Sequence, residues 1–185
     1  DFLRFTRDAG MVVGFSHDGL AQDDCRVFPD GSGTFGALEE KIALLLKYQP
    51  YAVAMSTFTP ETVSKLSSSV EFLFEKGFRY LIPSLNYAAD ADWTERALAE
   101  LKKQYERLAK DYIEWTLSGE KFYLGMFEMK ILSRLRGESY CSDRCQLGKK
   151  QISVAPDGKL YPCVQFVGDD EYVMGDVENG VDPVL

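Results

Sequence analysis

The sequence predicts an α/β fold of parallel strands beneath crossover helices, followed by a short cysteine-bearing β-hairpin segment. Short apolar, β-branched runs alternate with longer stretches of helical spacing in the order strand, helix, strand, helix, strand, helix, the pattern of βαβ units. With 185 residues, 45% of them hydrophobic, the chain can bury a sizeable core and suits one domain plus an appendage. Three of its four cysteines fall between 141 and 163, beyond the last helical pattern. A boundary near Gly137 therefore divides residues 1–137 from residues 138–185.

Phe2 to Ala9 reads as the last turns of a helix, and Gly10 suits its C-terminal end. Residues 11–15, Met-Val-Val-Gly-Phe, form a buried-type strand. Ser16-His17-Asp18-Gly19 ends that strand, and a polar loop runs from there through Arg26 to Gly33. Thr34 can cap a helix in which Leu38, Ile42, Leu45 and Leu46 share one face.

Tyr51 to Thr57 is the second strand. Thr59 as N-cap and Pro60 at the first helical position start a helix that runs to Lys76 and stops at Gly77. Phe78 to Ile82 is the third strand, closed by Pro83-Ser84-Leu85-Asn86. Asp92 or Thr94 opens a long helix carrying Leu98, Leu101, Tyr105, Leu108, Tyr112 and Trp115 at helical spacing, and a further helix covers about Phe122 to Leu135. Ile152 to Pro162 reads as two short strands around a Pro156-Asp157-Gly158 turn, with Val154 and Tyr161 packed beneath it.

The formal charge of −8 argues against a nucleic-acid surface, which needs a basic face. No apolar run approaches the roughly 20 residues that span a bilayer, and Asp1 to Gly10 lacks signal-peptide organisation. The expected setting is cytoplasmic and reducing, with cysteines for metal rather than disulfides. The hairpin can carry Cys163 back toward Cys141 and Cys145, making a thiolate cluster of the kind selected by soft metals and iron–sulfur centres. The same spacing is open to unliganded thiols or one disulfide pair. Cys25 stands alone in a polar loop, and the sole histidine, His17, reads as a loop residue rather than a base.

Cys145, twelve residues, Gly158, four residues and Cys163 resembles the opening of the SPASM extension of radical S-adenosylmethionine enzymes, and Tyr161-Pro162-Cys163 with the segment after it is similar to that extension's continuation. Ser16-His17-Asp18-Gly19 followed by Asp23-Asp24-Cys25-Arg26 resembles the family's Ser-x-Asp-Gly-Pro and His-Asp-x-x-Arg signature, with Leu20 in place of the proline. The residues by themselves also allow a plain tight turn at Asp18-Gly19. The resemblance implies that residues 1–137 are the later half of a partial (β/α)6 TIM-like barrel and residues 138–185 the start of the SPASM domain.

It further implies S-adenosylmethionine as cofactor, held by Ser16 and Arg26 at its amino-acid end and by backbone near Leu85 at its adenosine. Cys141, Cys145 and Cys163 become ligands of an auxiliary [4Fe–4S] cluster. The reaction implied is hydrogen abstraction by a 5′-deoxyadenosyl radical from a peptide or protein substrate. The family's C-x3-C-x2-C cluster motif occurs nowhere in the chain, so the sequence reads as an excerpt of a longer enzyme, inactive alone.

In sulfatase-maturating members an aspartate base follows the cysteine that corresponds to Cys163. Val164 stands there and accepts no proton, so the resemblance points instead to maturases that form thioether cross-links. The alternative reading is a small structural or interaction module whose three thiolates hold zinc, with no catalysis. A bare sheet edge also predicts self-association.

Overall fold

The computed structural model describes residues 1–137, 147–149 and 151–182. The chain forms two compact units, 1–131 and 132–185. In chain order the first contains α1 (Phe2–Asp8), β1 (Gly14–Ser16), a 3-10 turn (Gly19–Ala21), α2 (Gln22–Cys25), α3 (Phe35–Tyr48), β2 (Val53–Phe58) and a 3-10 turn (Val63–Lys65). It continues with α4 (Leu66–Glu75), β3 (Tyr80–Leu85), α5 (Glu95–Leu117), β4 (Tyr123–Leu124) and the start of α6 (Gly125–Arg136). The strands make one parallel sheet in the order β1-β2-β3-β4. The three strands expected to lie side by side do so, and a fourth joins them.

Strand alternation divides this sheet into two different faces. Ala54 and Phe58 of β2, Leu81 of β3 and Leu124 of β4 are buried in one cluster with Ile42 and Leu45 of α3, Leu66, Val70, Leu73 and Phe74 of α4, and Leu108 of α5. Phe74 stacks on Trp115 with ring centroids 3.9 Å apart, and the Arg79 guanidinium lies 4.3 Å from the Phe74 ring centre. The alternate positions Gly14, Ser16, Met55, Thr57, Tyr80 and Ser84 are exposed, and Val53, Ile82 and Tyr123 half-buried.

The strands begin two to three residues later than the sequence patterns indicate, and end one to three residues later. Pro83 and Leu85, read as a closing turn, belong to β3. Asn86 N–H donates to Phe58 O, so alternation turns the Pro83 nitrogen to the other edge, where β4 pairs only with Tyr80 and Leu81. A missing N–H costs no ladder bond there. β4 itself is two residues long, where the sequence pattern indicates the start of the following helix.

Two helix starts also differ. Thr59 does not cap α4: Thr62 N–H donates to Thr59 O and Thr59 N–H to Thr62 Oγ1, closing a turn before the 3-10 segment. Thr34 occupies the N-cap of α3 without a side-chain capping bond. Its hydroxyl donates to Arg26 O, while Asp23 Oδ1 accepts the Phe35 N–H at 2.7 Å. Thr94 does cap α5, accepting from Ala97 N–H.

In the second unit β5 (Ser153–Val154), β6 (Lys159–Tyr161), β7 (Gly175–Asp176) and β8 (Gly180–Val181) form an antiparallel sheet in that order. Gly158, at φ +86°, makes the expected β5–β6 turn. Tyr161 is buried beneath it, but Val154, paired with Leu160 on the face opposite Tyr161, is 60% exposed. No helix among the described residues is long and apolar enough to cross a membrane.

Leu108 is the fully buried leucine by which α5 enters the core. Leu108→Ala should destabilise the protein by about 2–5 kcal/mol, read from urea unfolding. A loss below about 1 kcal/mol would show that α5 is not held by this contact.

Candidate functional site

The C-terminal ends of parallel strands are where α/β proteins place their chemistry, and here that end is built around the turn after β1. His17, Asp18 and Gly19 are all buried. Gly19 has φ +60°, and a Cβ on it would lie 2.4 Å from Ser69 Cβ and 2.7 Å from Ser69 Cα. Only glycine allows the turn to approach α4 this closely. The Leu20 N–H then donates to Ser69 Oγ at 3.0 Å.

Asp18 is 1% exposed, and both its carboxylate oxygens are occupied. Oδ1 accepts the Thr57 N–H of β2 at 2.8 Å, and Oδ2 accepts Arg26 Nε at 2.6 Å. Asp18 N–H donates to Gln22 Oε1, Gln22 Nε2 to Thr34 Oγ1, and Thr34 Oγ1 to Arg26 O. The Arg26 side chain remains 40% exposed. Among the described residues no hydrogen bond occupies its two terminal nitrogens.

His17 is not a loop residue in the sense the sequence suggests. It is fully buried, stacked on Phe15 and Phe72 with centroids 5.8 and 6.1 Å away and edge-on to Phe35 at 5.7 Å. Its Nδ1 accepts the Gly19 N–H at 2.9 Å, which places the neutral ring's proton on Nε2. That nitrogen is buried without a hydrogen-bond partner among the described residues. Burial lowers the His17 pKa below its ordinary value, against an upward pull from Asp18.

The other sequence-predicted residues are placed as follows. Ser16 ends β1 and is exposed on the open sheet face. Leu85 ends β3 with its side chain packed against the core, so only its backbone is available to a ligand. The Asn86 loop is pinned by Trp93, whose Nε1 donates to Asn86 O at 2.8 Å. Cys163 is a half-buried free thiol preceding a 3-10 turn at Val164–Phe166. Cys141 and Cys145 lie outside the described residues. Burial, reinforced by Asp18 and Asp24, raises the Cys25 thiol pKa, which disfavours a reactive thiolate.

Ser84, which the sequence pattern places in a closing turn, lies in β3. It pairs in register with Thr57, and with Ser16 these hydroxyls occupy the open face toward the strand ends, beyond the Val53, Tyr80 and Tyr123 row. Strict alternation carried past Pro83 would have revealed it.

Gly19→Ala should cost at least about 2 kcal/mol, through positive φ and the clash with Ser69; a thermal shift indistinguishable from wild type would contradict the turn described. A histidine held neutral by the fold but protonated on unfolding makes stability fall as pH drops below about 6.5. His17→Phe should flatten that decline between about pH 7 and 5.5 in denaturant titrations; an unchanged slope would assign the decline to other groups.

No protein-family model matches the chain, and no curated protein matches it. Solved structures do. "Native anSMEcpe with bound AdoMet" aligns with a TM-score of 0.71 at 20% identity, over 97% of this chain and 51% of that one. The same enzyme with AdoMet and the Cp18Cys peptide aligns at 0.68 and 19% identity, over 97% and 52%, and with the Kp18Cys peptide at 0.68 and 19%, over 97% and 51%. The chain thus spans about half the length of these neighbours. anSME is an anaerobic sulfatase-maturating enzyme of the radical SAM SPASM type, and this chain is similar to it in fold over the aligned residues.

Proposed function

We propose that this chain is part of a radical S-adenosylmethionine enzyme that modifies a peptide or protein. The observation that carries the reading is the Arg26 guanidinium, anchored at Nε and unoccupied by the described residues at its terminal nitrogens, at the end of a parallel sheet. A guanidinium fork suits the ligand's carboxylate, and the Ser16 hydroxyl suits the same amino-acid end. Backbone at Leu85 is the proposed adenosine contact. The fold shared with an enzyme solved with AdoMet and peptides supports the assignment.

S-adenosylmethionine supplies, with a [4Fe–4S] cluster, the radical that abstracts a substrate hydrogen. The chain's residues bind and orient the ligand, and the exposed face from Ser16 and Thr57 to Ser84 is open to the substrate. Residues 1–137 are proposed as the later half of a partial barrel, and residues 138–185 as the start of the auxiliary-cluster domain. There Cys163, with Cys141 and Cys145, supplies the thiolate donors iron–sulfur clusters require.

Val164 is 71% exposed and carries no proton-accepting group. This supports a thioether-forming maturase over a sulfatase-maturating one. The fold match does not favour a zinc module without catalysis. Self-association is proposed through the edge of β1, which among the described residues pairs on one side only.

In the intact protein Ser16→Ala and Arg26→Ala should weaken S-adenosylmethionine binding, by about tenfold for Arg26, with iron content unchanged. Calorimetry showing wild-type affinity in both variants would remove them from the site. Cys145→Ala or Cys163→Ala should lower iron by about one cluster. Full iron in both would leave these cysteines as structural thiols.

A further inference from the structure

Resting on the reading of Arg26 as partner of the ligand carboxylate, we propose that Asp18 is the positioning residue of that site, setting the guanidinium so that its terminal fork faces the ligand. Arginine is a long, rotamer-rich side chain, and a 40% exposed guanidinium would otherwise sample many orientations. Contact of Nε with Asp18 Oδ2 at 2.6 Å selects one orientation and leaves Nη1 and Nη2 for end-on, bidentate recognition.

Asp18 can impose this because it is itself immobilised. Its other oxygen holds the Thr57 N–H at 2.8 Å, and its own N–H is held by Gln22 Oε1 at 2.8 Å. The main chain of Arg26 is fixed independently, through its N–H to Gln22 O and its carbonyl to the Thr34 hydroxyl. The guanidinium is thus referenced through Asp18 to the ends of β1 and β2, while the Arg26 main chain is held by α2 and by Thr34 at the start of α3.

Two effects of the carboxylate oppose each other. Asp18 orders the guanidinium, but its negative charge also repels a ligand carboxylate. The Asp18 oxygen touches Nε directly, whereas the ligand carboxylate lies across the guanidinium, where the repulsion is weaker with distance. Ordering dominates, and loss of the carboxylate weakens binding.

The test is calorimetry on the intact protein with two probes: S-adenosylmethionine, and methylthioadenosine, which lacks the amino-acid end. Asp18→Asn should weaken S-adenosylmethionine about tenfold, the scale of one charge-assisted bond, while leaving methylthioadenosine unchanged. In an Arg26→Ala background it should have no further effect. Equal loss for both probes, or loss additive with Arg26→Ala, would make Asp18 merely structural and overturn the proposal. Unchanged or tighter S-adenosylmethionine binding in Asp18→Asn, with Arg26→Ala still weakened, would overturn it while leaving the Arg26 reading intact. Wild-type affinity in Arg26→Ala would remove both. Should Asp18→Asn fail to fold, Arg26→Lys decides: a lysine held by Asp18 has no second fork, so binding should fall as in Arg26→Ala, and retained affinity would overturn the proposal.

Discussion

A single buried carboxylate ties together the C-terminal end of the parallel sheet. Asp18 has left β1, yet it accepts the Thr57 N–H of β2 and the Arg26 Nε of the following loop. An ionised group in this position is tolerable only because both oxygens are satisfied. The approach of Gly19 to Ser69 on α4 fixes where the turn can pass, and the His17 ring, packed among Phe15, Phe35 and Phe72, backs it from the core. All three supports meet within the consecutive residues His17, Asp18 and Gly19.

The sheet gives this turn its context. Its helix-covered face carries Ala54, Phe58, Leu81 and Leu124, and its other face grades from Tyr80 and Tyr123 at the strand beginnings to Ser16, Thr57 and Ser84 near their ends. Such a gradient positions polar groups beside the strand ends without exposing the core. The aromatic row Tyr51, Tyr80 and Tyr123, with neighbouring centroids 6.2 and 6.3 Å apart, occupies the opposite end.

Much of this architecture was legible because βα alternation is written in long-range hydrophobic spacing. The helix with Ile42 and Leu45, the long helix capped by Thr94 and the Gly158 turn all follow from local pattern. What escaped depended on tertiary partners. Pro83 stays in a strand because its nitrogen faces an unpaired stretch of edge, β4 is too short for a periodic signal, and Thr34 serves Arg26 rather than its own helix. In the candidate site, Arg26 and Ser16 stand out by motif, whereas the burial of His17 and the hydrogen bond that Arg26 Nε donates to Asp18 do not. Both arise from loop closure that no spacing encodes.

Arg26, at the strand ends, is proposed to receive the amino-acid end of S-adenosylmethionine. A crystal structure of the intact protein with that ligand tests it most directly. The ligand carboxylate should lie within hydrogen-bond distance of the Arg26 terminal nitrogens, with Asp18 still on Nε and the adenosine against the backbone at Leu85. A ligand seated elsewhere, or one whose carboxylate leaves Arg26 untouched, would contradict it.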